Sequence, residues 1–181
     1  MKFLITLLLV AALGYFYWSS SYTINPTIQN VSSGVISYGK ETMDSLKGNG
    51  LVTLEGTTIR GRLEVNGSVK ATKAFIGAFD CAGYANLTDC VIKTHSDVNG
   101  FLNANRTAFQ GPVVLKAQKA EFTDCTIESL IVKNPSWVFG TQVIELQGKT
   151  VVKGSITFES GQGKVNMSPQ SKVLGKIVGG Q

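Results

Sequence analysis

The chain of 181 residues is poor in charge, histidine and cysteine. Charged side chains make up 16% of it, and a net charge of +5 is spread thinly along its length. No nucleic-acid motif accompanies that charge, so nucleic acid is not an expected partner. His95 is the single histidine, and the three cysteines contain no C-x-x-C spacing, so a zinc site lacks its ligands. There are four prolines and no low-complexity tract. Sparse charge combined with 20 glycines suits a stacked β structure and argues against disorder.

What is present is a repeat. The stretch Ile59-Arg60-Gly61-Arg62-Leu63-Glu64-Val65 returns as Phe75-Ile76-Gly77-Ala78-Phe79-Asp80-Cys81. It returns again as Phe109-Gln110-Gly111-Pro112-Val113-Val114-Leu115 and as Val152-Lys153-Gly154-Ser155-Ile156-Thr157-Phe158. Val173-Leu174-Gly175-Lys176-Ile177 is a shortened copy. Three apolar ladders run alongside the glycines. They are Leu54, Ala71, Leu87, Ala104, Phe122, Phe139; Ile59, Phe75, Ile92, Phe109, Ile127, Ile144; and Val65, Cys81, Val98, Leu115, Val132. Each step is 16, 17 or 18 residues, and the glycine register selects Phe75 over Ile76 for the second ladder.

A repeat of that length with internal period-2 alternation indicates a solenoid whose coils pair edge to edge. Alternation puts Ile59, Leu63 and Val65 inside and Arg60, Arg62 and Glu64 in water. A sandwich or barrel requires no residue type to recur on three tracks at such intervals. The expected fold is therefore an all-β parallel β-helix of about seven coils over 51–178. At one strand spacing per coil it is a rod on the order of 35 Å long. From Val143 the period lengthens: Ile144, Leu146, Val152 and Ile156 return 21 residues later as Val165, Met167, Val173 and Ile177. A loop at Ser160-Gly161-Gln162-Gly163 accommodates the extra length.

Ahead of the body stands a hydrophobic leader. Lys2 precedes an apolar run from Phe3 to Trp18, and residues 1–21 read as a signal peptide or as an amino-terminal membrane anchor. The cluster Tyr15 to Trp18 suits an interfacial belt, whereas Ser19 and Ser21 suit a cleavage site. In both readings Lys2 holds the amino terminus inside and the body crosses, because no Lys or Arg occurs from 19 to 39. The expected location is the inner membrane with the body in the periplasm, or a free periplasmic or secreted protein if the leader is cut. No cysteine follows the run to carry a lipid. Residues 22–50 are expected to be a connector and amino-terminal cap, with one helical turn at Glu41 to Lys47.

Few residues invite a chemical role. Cys90 and Cys125 share the context Thr-Asp-Cys, 35 residues or two coils apart, about 9.6 Å along the stack. A disulfide needs Cα atoms within about 7 Å, so free thiols are expected. Cys81 falls in a ladder and reads as a small core residue. His95 sits in the polar stretch Lys93–Asp97, an expected exposed bend. Asp89 and Asp124 stack two coils apart, and Glu121, Asp124 and Glu128 share one coil, a spacing that barely meets a glycosidase pair. An aspartate bonding a turn amide explains Thr-Asp-Cys more simply. No residue is therefore assigned a catalytic, cofactor-binding or metal-binding role. The last coil ends in Val173, Leu174, Ile177 and Val178, expected to form an assembly surface.

The body, about 50–178, resembles the bactofilins, bacterial polymer-forming cytoskeletal proteins. The matching residues are Leu51–Gly61, Val151–Ile156 and Val173–Ile177. The resemblance implies a right-handed β-helix that polymerises end to end and scaffolds other proteins at a membrane. An exported leader and a middle section, Tyr84–Asn105, without the glycine register depart from that pattern. The reading is a non-enzymatic, self-assembling scaffold needing no cofactor. The alternative is an exported β-helix that binds or modifies an envelope polysaccharide.

Overall fold

The computed structural model describes residues 28–136 and 139–181. The expectations for the leader, residues 1–21, lie outside those residues, as does the start of the connector. Among the described residues there are sixteen strands and no helix. Their pairings are parallel throughout. The chain winds as a β-solenoid of about eight turns. At one strand spacing per turn the rod is about 38 Å long.

Each coil has three faces. The first is short, as in Val91–Ile92. The second begins the longer strand Ser96–Asn105, which bends at Gly100 into the third. Register fixes the inward columns. Met43, Ile59, Ile76, Ile92, Phe109, Ile127, Val152 and Val173 stack on the first face. Leu46, Leu63, Phe79, Ser96, Val113, Leu130, Ile156 and Ile177 stack on the second. Beside them run Val65, Cys81, Val98, Leu115, Val132 and Phe158. The third face contributes Leu54, Ala71, Leu87, Ala104, Phe122, Leu146 and Met167. Alanines between large neighbours leave room for rings, and Phe109 meets Phe122 edge to face with centroids 5.9 Å apart. A fully buried Leu, Ile or Phe contributes roughly 1.5–3 kcal/mol, and coils that shared none of this core would not hold.

Glycines appear where coils touch. A Cβ on Gly77 would collide with the carbonyl oxygens of Arg60 and Gly61, so the motif glycine is a close-approach position. The bend from second to third face needs a second column, Gly50, Gly67, Gly83 and Gly100, each with φ between 110° and 140°. The third corner is left-handed without glycine at Lys73, Asp89, Arg106 and Asp124, with φ from 45° to 54°. Just after it comes a buried column of Thr57, Ala74, Cys90, Thr107, Cys125, Thr150 and Ser171. All but Ala74 donate a side-chain hydroxyl or thiol to a backbone carbonyl.

Four expectations are corrected. Ile59 pairs with Ile76, not Phe75, because the tight Gly77 corner drops one residue and shifts the register there. Phe139 is 78% exposed, and its ladder position is taken by Leu146. Ile144 belongs to the third face, opposite Ala120. Both slips come from one coil of 25 residues, in which Thr126 pairs with Val151 and the extra length falls between Val132 and Gln142. Finally, Glu41–Lys47 makes no helical turn. Thr42–Met43 and Ser45–Glu55 are strands, and Ile28–Tyr38 pairs onto the latter, so the stack already occupies much of 22–50. That accounts for the turn beyond the expected seven. The 21-residue register of the last coils is as expected, with Ile144 on Val165 and Ile156 on Ile177.

Candidate functional site

The end of the stack separates the four expected assembly residues into two pairs. Val173 and Ile177 pack against the core, whereas Leu174 is 67% and Val178 49% exposed. The strands Lys172–Val173 and Ile177–Val178 pair only with Val151–Val152 and Ile156–Phe158 among the described residues. Their outer edges carry open hydrogen-bonding groups. At the other end Ile28–Tyr38 pairs with Ser45–Glu55 alone among the described residues.

The cysteines are unpaired and buried. Cys90 and Cys125 occupy the same corner column with Thr107 between them, the two-coil separation expected from their spacing. Burial raises the Cys81 and Cys125 thiols to about 11 and pushes Cys90 up as well. These are neutral thiols, without the thiolate that nucleophilic chemistry requires.

The carboxylates considered for glycan cleavage are each held by a cation or a backbone amide. The Arg106 guanidinium grips Asp89 at 2.6 Å and 2.9 Å, and this hydrogen bond holds the Asp89 carboxyl below its usual range. Asp124 accepts from the Lys149 amide at 2.8 Å, the turn-bonding role expected for it. Glu121 is paired with Lys119 and Glu128 with Lys153. Among the described residues no group of His, Cys, Asp and Glu has the arrangement of a metal site.

Several of the basic side chains are similarly committed. Arg62, Arg106, Lys116, Lys119, Lys133 and Lys153 each face a carboxylate, and Lys93 lies over the Phe75 ring. His95 is half-exposed at the first bend, with Nε2 3.6 Å from Asp80.

One arrangement was not anticipated. Outside the second face, Lys47, Glu64, Asp80 and Asp97 form one column. Asn49, Asn66, Ala82 and Asn99 form the next. Together they line an open trough of about 610 Å³. Past the glycine bend, Tyr84 and Phe101 stack outward with centroids 5.3 Å apart and rings 5° from parallel. The recurrence of Asn-Gly at 49–50, 66–67 and 99–100 was the available signal, hidden because Asn-Gly ordinarily reads as a turn.

Comparisons of the chain with protein-family models, curated proteins and solved structures find no match.

Proposed function

We propose that this chain is a non-enzymatic scaffold that self-associates through the ends of its solenoid, as its resemblance to the bactofilins implies. The observation that supports this is the one-sided pairing of the last strands, beside exposed Leu174 and Val178. Open parallel edges accept further strands, and apolar side chains next to them add burial to that contact. A contact between like ends closes a dimer, whereas a contact between unlike ends propagates a filament. Residues 3–18 hold the scaffold at a membrane with the solenoid on the periplasmic side, and cleavage of the leader releases it.

Leu174→Lys and Ile177→Lys test the assignment. Light scattering of the full chain in detergent is expected to show an assembly larger than one chain. Leu174→Lys should reduce it to single chains with an unchanged melting midpoint, because Leu174 contributes little to the core. Ile177→Lys should do the same while loosening only the last coil. A wild type that stays monomeric at high concentration would remove the basis for the scaffold.

A further inference from the structure

We propose that the trough on the second face, centred on Ala82, binds an extended, uncharged polysaccharide chain. The site begins with a missing side chain. Asn66 and Asn99 stand one coil to either side of Ala82, so the amide column is broken where alanine replaces it. The resulting notch spans two strand spacings, about 9.6 Å. The side chains of Asn49, Asn66 and Asn99 are exposed and make no hydrogen bond among the described residues. Asp80 borders the notch, its Oδ2 held at 2.7 Å by Arg62.

Charge decides the class of ligand. Lys47 pairs with Glu64 at 2.7 Å, Arg62 with Asp80 at 2.7 Å and Lys116 with Asp97 at 3.2 Å. Three cations and three carboxylates cancel along the trough. A polyanion gains its affinity by engaging uncommitted Lys and Arg, and here it would have to break pairs already formed. A peptide strand needs a free sheet edge, and the strands lining the trough are paired on both sides. Hydroxyl groups suit the lining better, since each both donates and accepts. Carboxylate and amide oxygens accept from them, while the amide nitrogens donate to them.

Shape favours a polymer. The trough is open along the rod axis, unlike the enclosed pocket that holds a small molecule. Charged side chains line it at every coil and amides at three of the four, so a chain laid along the axis meets polar groups throughout its length. The stacked Tyr84 and Phe101 rings stand at the next outward position on their strands and offer an apolar flank for sugar C–H groups. This site is remote from the strand edges of the last coil, so its test and that of the scaffold are separate.

The probes are cellohexaose, xylohexaose and chitohexaose, titrated calorimetrically into the full chain in a sugar-free detergent. Binding of at least one in the millimolar range or tighter is expected. Ala82→Asn completes the amide column and fills the notch, and should weaken that binding by at least about tenfold. The same variant should leave the melting midpoint unchanged, since residue 82 faces outward on a paired strand. Asn66→Ala with Asn99→Ala should weaken binding without Ala82 being altered. Absence of heat with all three sugars, or full affinity in Ala82→Asn, would overturn the proposal.

Discussion

Ser96 is the residue whose replacement tests the core most sharply. It stands in an inward column between Phe79 and Val113, is 1% exposed, and its Oγ has no hydrogen-bond partner among the described residues. A buried hydroxyl left without a partner costs about 1–3 kcal/mol. Ser96→Ala removes that hydroxyl and little else, so the solenoid should gain about 1–2 kcal/mol. For a chain of this size, each kcal/mol moves the midpoint by about 2–4 °C. The expected rise is therefore about 2–8 °C. Thr150 supplies the opposite control. Its Oγ1 donates toward the Phe122 and Gln147 carbonyls and accepts from the Cys125 amide at 3.2 Å. Thr150→Ala strands that buried amide and should cost about 1–3 kcal/mol. The assay is thermal and urea unfolding followed by circular dichroism, with equal urea slopes required before midpoints are compared. If Ser96→Ala lowered the midpoint, an enclosed water would be satisfying the hydroxyl, and the reasoning would fail.

Phe109→Asp should abolish folding, because it forfeits the about 3–5 kcal/mol of a buried Phe and inserts a charge against Phe122. Arg106→Ala should leave the melting midpoint nearly unchanged, since its ion pair with Asp89 is solvent-exposed. The three thiols should resist alkylation in the native protein and react only after denaturation, read by mass spectrometry without reduction. Because burial raises the Cys81 and Cys125 thiols from 9.0 to about 11, their contribution to stability is complete below pH 9. It should fade as pH rises toward 11, and unchanged unfolding midpoints across that window would contradict it.

The solenoid was legible because stacking forces a period. Val65, Cys81, Val98, Leu115 and Val132 fall on one column as their spacing indicated. Register was legible only where coils keep one length. The extra residues between Val132 and Gln142 displaced Phe139 and Ile144 from the columns where even counting put them. Phe75 was misplaced for a different reason. Glycine recurrence marks where backbones touch, and the Gly77 corner is one residue shorter than the Gly61 corner. The trough escaped notice because outward side chains leave no apolar period. Its defining feature is a gap, Ala82, which is meaningful only beside Asn66 and Asn99.

The parallel ladders have a mechanical consequence. Backbone hydrogen bonds between coils point along the rod, while the covalent chain runs across it. Tension applied end to end is therefore borne by the bonds joining one coil to the next, all loaded together at each boundary. At the last coil two of the three pairings, those of Lys172–Val173 and Ile177–Val178, are each two residues long. Extension should peel coils away from that end in discrete lengths. A coil of about 17 residues releases about 55 Å of chain for every strand spacing of rod lost. A short, stiff rod thus carries many times its own length in reserve.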